Sequence, residues 1–277
     1  MTGQLALSLV LVFAAGLFVR TVEKASAENG GFNRQNVLTF STDPSLLRYD
    51  PMKTAALHAA ILDALKTIPG VDVASVGLAR PVNPQAYYVS GFGFVGGRVL
   101  QPNERVRLAW NAVSEDYFRT LEIPILVGRS FRADDSWSSP RVAIVNETLA
   151  RQLFPGQNPI GGSIGRNAQE RTEIVGVARD TKYADLLSDT RAVAYFPIYQ
   201  FVPNDVTFLV RYVGKTGPIL DAARERIAGI DRNLPIYRVT RWRLKPVPPC
   251  CGIGSSPWYR PRLGCLRWRS PASASTV

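Results

Sequence analysis

The alternation of apolar and polar residues predicts a β-α-β unit near the start of the globular part of the chain. Residues 36–42 (NVLTFST) alternate and are rich in strand-forming side chains, and residues 71–79 (VDVASVGLA) predict a second strand. Between them, Pro51 marks the start of a helix and Pro69-Gly70 its end. The helix carries an apolar stripe at helical spacing, formed by Ala55, Leu57, Ala60, Ile61, Ala64, Leu65 and Ile68.

A second unit of the same kind lies near the other end of the chain. Residues 205–214 (DVTFLVRYVG) predict a strand, residues 217–230 (GPILDAARERIAGI) a helix and residues 234–239 (LPIYRV) a strand. Two β-α-β units separated by a long stretch predict one split α/β sandwich with a second module inserted between its halves. The helix should bury one side, made of Ile219, Leu220, Ala223, Ile227 and Ile230.

The stretch between the two units contains many short strands and turns, which predict a mostly β module. It also contains one short helix, SEDYFRTL, with Ser114 as its expected cap. We therefore predict an α+β fold in which segments 36–86 and 205–240 form the α/β subdomain. Residues 87–204 form the β-rich subdomain inserted between them.

The start of the chain is apolar enough to cross a membrane. Residues 2–19 carry no charge, and residues 5–19 (LALSLVLVFAAGLFV) are continuously apolar. A spanning helix needs about 20 such residues with a lower limit near 17, so we predict a transmembrane helix at 1–22. A secretory signal peptide is the alternative, because residues 25–27 (ASA) have the form of a cleavage site and would leave Glu28 as the first residue. A buried core helix is a third interpretation. A membrane anchor and a signal peptide would both place the rest of the chain outside the cytoplasm.

Composition and charge narrow the class of protein. A chain of 277 residues with 46% hydrophobic content can bury one good core or two small ones, so the chain as a whole is not a disordered segment. Its net charge of +11 is unevenly placed, because eight basic and no acidic residues follow residue 237. The first 237 residues hold 25 basic and 22 acidic side chains, and we expect no nucleic-acid partner for this nearly neutral body.

The basic tail, residues 241–277, has neither helical nor strand periodicity and is predicted to be unstructured. Its cysteines, Cys250, Cys251 and Cys265, do not have the paired spacing of a zinc site. A shifted reading frame through GC-rich DNA would produce such a mixture of Arg, Pro, Trp, Cys and Gly. The alternative is a functional basic arm that binds nucleic acid or anionic lipid.

The glycine-rich stretch 149–165 (LARQLFPGQNPIGGSIG) raises the possibility of a nucleotide site, but its order is wrong for one. Phosphate-binding glycines precede a helix, whose N-terminal N–H groups point at the anion. Here Asn146 caps a helix predicted at 147–154, and Gly161, Gly162 and Gly165 follow it without a Gly-Lys-Ser/Thr triplet. We expect these glycines to fold the chain back onto the strand TEIVGVA, and we predict no cofactor.

Residues capable of catalysis are few. His58 is the only histidine and lies in the first helix, where we expect a solvated or boundary position. We expect Asp134, Asp135 and Asp180 to be solvated acids on loops. We expect the aromatic side chains of Tyr87, Tyr88, Phe92 and Phe94 to lie in the core. With one histidine no histidine-rich metal site can exist. We predict no catalytic, cofactor-binding or metal-binding residue and no enzymatic activity.

Several motifs, in order, give the chain a family resemblance. They are ALSLVLVFAAGLFVRTV, GFNRQNVLTFSTD, LKTIPGVDVASVGLA, VSEDYFRTLEIPILVGRSFRADD, VAIVNETLARQLFPGQNPIGGSIG, EIVGVARDTKYADL and AVAYFPIYQ. This series resembles the MacB-like extracytoplasmic core of FtsX-type ABC-transporter permeases, in the branch with duplicated permease halves, and covers about residues 5–240.

The resemblance implies a first transmembrane helix, then a porter-like α/β subdomain interrupted by a β-rich one, outside the bacterial inner membrane. It implies a non-enzymatic role in which a separate ATPase drives the permease and helices relay its motion to the exported domain. Other permease subunits or halves are the implied partners. Family members continue into three more transmembrane helices, whereas this sequence changes character near Arg241, so we expect a permease fragment.

Overall fold

The structure, a computed structural model, describes residues 13, 16, 31–80, 88–89, 91–105, 108–181 and 191–241. Almost all of the predicted transmembrane helix at 1–22, and the tail after Arg241, lie outside the described residues. Among those that are described, the helices are too short or too polar to cross a bilayer.

The first β-α-β unit forms as the sequence predicts. Strand β1 is Val37–Thr42, helix α1 is Pro51–Lys66 and strand β2 is Val71–Gly77. Asp50 caps α1 by accepting a hydrogen bond from the N–H of Lys53 at 2.8 Å, and Pro51 occupies the first helical position. The helix therefore begins where its N-terminal signals place it.

The middle of the chain is mainly strand. Its strands are β3 (Tyr88–Val89), β4 (Phe94–Val95), β5 (Arg98–Val99), β6 (Leu108–Val113), β7 (Ile125–Gly128), β8 (Val142–Asn146), β9 (Ser163–Gly165), β10 (Thr172–Ala178) and β11 (Val193–Pro197). The helices there are short: α2 is Tyr117–Leu121 and α3 is Glu147–Leu153. The α+β class is thus confirmed for the described residues.

The second β-α-β unit follows. Strand β12 is Val206–Tyr212, helix α4 is Thr216–Ile230 and strand β13 is Ile236–Arg241. Three 3-10 turns complete the secondary structure of the described part, at Pro44–Leu47, Pro102–Glu104 and Ile198–Gln200.

All described strands belong to one sheet, in the order β13-β1-β12-β2-β6-β11-β8-β10-β9-β4-β5, with β3 on β6 and β7 on β10. The first four strands come from the two β-α-β units, and each pair of neighbours among them is antiparallel. This is the interleaved order of a split β-α-β arrangement. The boundaries of the two subdomains stay a prediction.

The core of this four-strand region lies between the sheet and the helices α1 and α4. Leu38 and Phe40 of β1 and Phe208 of β12 are at most 1% exposed, and the rings of Phe40 and Phe208 stack at 5.4 Å. On α1 the buried face consists of Thr54, Leu57, His58, Ile61, Leu62 and Leu65. The predicted stripe was wrong at Ala60, which is exposed, because the buried face is rotated towards Thr54 and His58.

Helix α2 covers the opposite face of the sheet. Tyr117, Phe118 and Leu121 of this helix are buried in a cluster that also contains Val37 of β1 and Leu209 of β12. The residues of α2 belong to the predicted insertion, so the insertion packs on strands of the α/β part.

The backbone junction between β2 and β6 is narrow. One ladder pair, Gly77 with Val113, joins them, and side chains extend the contact. The buried Asn111 amide accepts from the N–H of Ala79 at 2.9 Å and donates to its carbonyl at 2.6 Å. Ser114 was predicted to cap α2, but its buried hydroxyl instead accepts from the N–H of Val76 at 3.1 Å, because β2 lies beside it.

Candidate functional site

The glycine-rich stretch forms a turn that pairs with a strand. Asn146 caps α3 by accepting from the N–H of Leu149 at 3.0 Å, and the helix ends before the glycines. Gly161, at φ +79°, donates to the carbonyl of Ile174, whose own N–H donates to Gly162. These contacts and the β9–β10 pairing confirm the predicted fold-back onto TEIVGVA.

His58 is buried, and its predicted solvated or boundary position is wrong. The side chain is 1% exposed and meets the ring of Phe208 edge-on at 6.1 Å. Within the described residues neither ring nitrogen has a hydrogen-bond partner, and the same holds for the buried hydroxyl of Thr54 one turn earlier. Burial lowers the pKa of His58 to about 4, so the imidazole is neutral at pH 7.

Asp135 is also buried, at 5% exposure, so its prediction as a solvated acid is wrong. Its carboxylate accepts two hydrogen bonds from the guanidinium of Arg129, at 2.8 and 3.0 Å, and one from the N–H of Arg132 at 2.8 Å. Burial disfavours the charged form, but these donors outweigh it and hold the pKa of Asp135 below its usual value. Its neighbour Asp134 is exposed, as predicted.

Asp180 is the third acid, and it too has partners that the sequence did not reveal. Its carboxylate accepts from the amide of Asn146 at 2.6 Å, from the N–H and hydroxyl of Thr148 at 2.9 and 2.7 Å, and from Arg151 at 3.2 Å. The expectation of a solvated acid is therefore wrong. The bonds to Thr148 and Arg151 fix Asp180 at the first turns of α3, which gives the acid a structural role.

The aromatic set is partly described. Phe92 and Phe94 are 9% and 2% exposed and lie in the core, as predicted. Tyr87 lies outside the described residues, and so does the side chain of Tyr88. The described members therefore pack against the body and leave no ring face for a ligand.

Residues 31–36, which we call the strap, precede β1 and are bound along the surface. Phe32 is buried in the cluster formed by α2, and the N–H of Asn33 donates to the carbonyl of Leu121 at 2.8 Å. The amide of Asn33 donates to Glu122 at 2.8 Å. At Gly31 a side chain would collide with the carbonyl of Asp180, so only glycine fits there.

Arg211 of β12 binds the strap from the other side. Its guanidinium donates to the carbonyls of Asn33 at 2.9 Å, Gln35 at 3.2 Å and Thr120 at 2.8 Å. It also pairs with Glu122 at 3.0 Å, and its side chain is only 11% exposed. Sequence reasoning missed this residue, although its position two residues after the buried Leu209 puts an arginine on a covered face of the strand.

A polar cleft of about 440 Å³ lies beside the strap, lined by Gly31, Phe32, Asn33, Arg34, Gln35, Glu122, Pro124 and Arg179. In the described part of the chain, no three His, Cys, Asp or Glu side chains come together in a way that could hold a metal ion. The predicted absence of catalytic and cofactor-binding residues stays a prediction. In the described residues, the polar contacts around the strap join it to α2 and β12.

Comparison with known proteins identifies the family. The description "MacB-like periplasmic core domain" belongs to a family model that matches residues 4–229, which is most of the chain. The chain belongs to this family. The match confirms the resemblance drawn from the sequence motifs, and the MacB-like domain spans both β-α-β units except for the last strand.

A relative of the MacB-like domain agrees with this assignment. The uncharacterized ABC transporter permease YknZ of Bacillus subtilis (strain 168) is 31% identical over 127 residues. That alignment covers 44% of this chain and 31% of the permease, so the chain spans less than a third of this relative.

Two solved structures are similar to the MacB-like domain. The periplasmic region of MacB from Actinobacillus actinomycetemcomitans has a TM-score of 0.50 at 14% identity, covering 77% of this chain and 93% of that one. The extracellular domain of the ABC-type transporter YknZ from Gram-positive bacteria has a TM-score of 0.45 at 17% identity, covering 73% and 100%. The first of these supports the shared fold.

The buried neutral His58 predicts acid sensitivity. Because its pKa is about 4 in the folded state and about 6.5 in the unfolded chain, stability is fully present above pH 6.5 and falls as the pH drops towards 4. We expect wild type to lose on the order of 3 kcal/mol more than His58→Leu over this range. Urea unfolding of the full chain at several pH values measures the difference. His58 is the only histidine, so identical pH profiles for the two proteins would contradict its burial.

Two adjacent aspartates, Asp134 and Asp135, provide a variant and its matched control for testing the contact with Arg129. Asp135→Ala removes the carboxylate that Arg129 and the N–H of Arg132 share, and we expect a loss of about 2 kcal/mol in unfolding free energy. Asp134→Ala removes an exposed carboxylate and should change stability by less than about 0.5 kcal/mol. Urea unfolding at pH 7 compares the two, and equal losses would mean that the loop is not organised by Asp135.

Proposed function

We propose that this chain is a non-catalytic extracytoplasmic domain of an ABC-transporter permease, held in the bacterial inner membrane by a helix at 1–22. The observation that supports this most is the family match over 4–229, a range that includes the apolar stretch 5–19. The uncharged run 2–19, which contains that stretch, is just long enough to cross the hydrocarbon core.

The proposed role is mechanical. A separate ATPase subunit supplies the energy, other permease subunits or halves complete the membrane part, and motion reaches the exported domain through the helix that precedes the strap. The relative YknZ is an ABC transporter permease by name, and this chain spans less than a third of it. In this proposal the ATPase contacts regions of the permease that lie outside the part aligned with this chain.

The described residues fit such a role. Asp180 joins segments at α3 and Arg211 joins them at the strap, and His58 and Tyr195, whose pKa values are strongly shifted by burial, lie in the core. A domain that transmits motion needs a stiff body more than a reactive group.

A secreted or periplasmic binding module is the second candidate. The sequence ASA at 25–27 has the form expected before a cleavage site, and cleavage there would release a domain that starts at Glu28. Both candidates place the body outside the cytoplasm, and they differ in the state of the first 27 residues.

Membrane fractionation with intact-mass measurement separates these candidates. We expect the product expressed in bacteria to stay in the membrane pellet after carbonate washing and to keep its N-terminal residues, because residues 5–19 lie in lipid. A mass that begins at Glu28 would establish the binding module instead. A full-length product in the aqueous fraction would contradict the membrane anchor.

A further inference from the structure

Three parts of the chain meet at Arg211. The strap contributes the carbonyls of Asn33 and Gln35, α2 contributes the carbonyl of Thr120, and Arg211 itself belongs to β12. Helix α2 lies within the predicted insertion and β12 within the predicted α/β subdomain. One side chain therefore binds the segment that enters the body and both parts of the body.

We propose that the strap and Arg211 form a rigid coupling joint, which makes the segment entering from the membrane side move with both parts of the domain. This rests on the proposed function, because the predicted membrane helix at 1–22 lies only eight residues before the strap in the sequence. The new element of the proposal is the contact, at Arg211, through which a pull on that helix reaches β12 and α2.

The chemistry of arginine suits such a joint. Its planar guanidinium carries five N–H donors in a fixed fork, so it can bind several carbonyl groups at once. Here it donates to three carbonyls and pairs with Glu122, at 11% side-chain exposure, where competition from water is small. A lysine has one ammonium group and cannot reproduce this fork.

Additional contacts keep the strap in one position. Phe32 is inserted into the core cluster below α2, and the backbone of Asn36 accepts from the N–H of Tyr212 at 3.0 Å. Gly31 lies against the backbone of Asp180. The strap is therefore held at both of its ends as well as at its centre, unlike a flexible linker.

Hydrogen exchange of the full chain in detergent tests the contact. In Arg211→Ala we expect the peptide containing Asn33, whose N–H donates to Leu121, to exchange at least about tenfold faster. Arg211→Lys should behave like Arg211→Ala, since the charge alone does not make the fork. The matched control Arg98→Ala removes another ion pair, with Glu104, and should leave this peptide unchanged.

Pulling with optical tweezers tests the mechanical role, which a residue that merely stabilises the fold would not share. Handles are attached at the N-terminus and at position 63 on α1 (Asp63→Cys, in a background with Cys250, Cys251 and Cys265 replaced by serine). In wild type we expect the strap to stay bound until the body unfolds. In Arg211→Ala we expect a separate early step of at most about 2 nm, the contour length of six extended residues, while the unfolding force of the body stays the same.

The outcomes decide the proposal. Faster exchange together with an early strap step supports it. Unchanged exchange in Arg211→Ala, or a lower unfolding force without an early step, overturns it. Should Arg211→Ala fail to fold, the same two readouts on Glu122→Gln decide in the same way with smaller changes, because this variant weakens the ion pair with Arg211 and the hydrogen bond from the Asn33 amide while the carbonyl contacts of Arg211 stay. None of these readouts depends on whether the chain is anchored, so a failed anchor in the fractionation experiment remains a distinct result.

Discussion

The antiparallel pairing of β1 with β12 is the interaction on which the rest of the structure depends. It joins six residues on each strand, from Val37 with Arg211 to Thr42 with Val206, and Ser41 and Thr207 on this ladder are 166 positions apart in sequence. The pairing closes the two β-α-β units into one layer and stacks Phe40 on Phe208 beneath the helices. It also places Arg211 beside the strap. The neighbouring ladders β1–β13 and β12–β2 extend this layer on either side.

The proposed mechanical role depends on the packing of this body and needs no reactive group. The family is that of MacB-like periplasmic core domains, and the described charged groups connect segments of backbone. Close packing gives such a body low compliance, so a displacement applied at one element reaches its neighbours. The strap lies where the chain enters this body, and it is bound by α2 on one side and β12 on the other.

The sequence predicted the elements well and the environments of polar residues poorly, for one physical reason. Elements such as α1 and β10 are encoded by local periodicity and caps, as the Asp50 cap and the match of TEIVGVA to Thr172–Ala178 show. The states of His58 and Asp180 depend on Phe208 and Thr148, which are distant in sequence, and that of Asp135 depends on how its loop folds back to Arg129, six residues earlier. Arg211 was missed for the same reason, because its partners become visible only when the strap and α2 are placed together.

Native-state hydrogen exchange on the full chain tests the central role of the β1–β12 ladder most directly. If the ladder closes the fold, the slowest amides of both strands should exchange with the same free energy, equal to that of global unfolding. Exchange of β1 at a free energy well below that of β12 would show that the first β-α-β unit opens on its own, and would contradict a structure closed by this pairing.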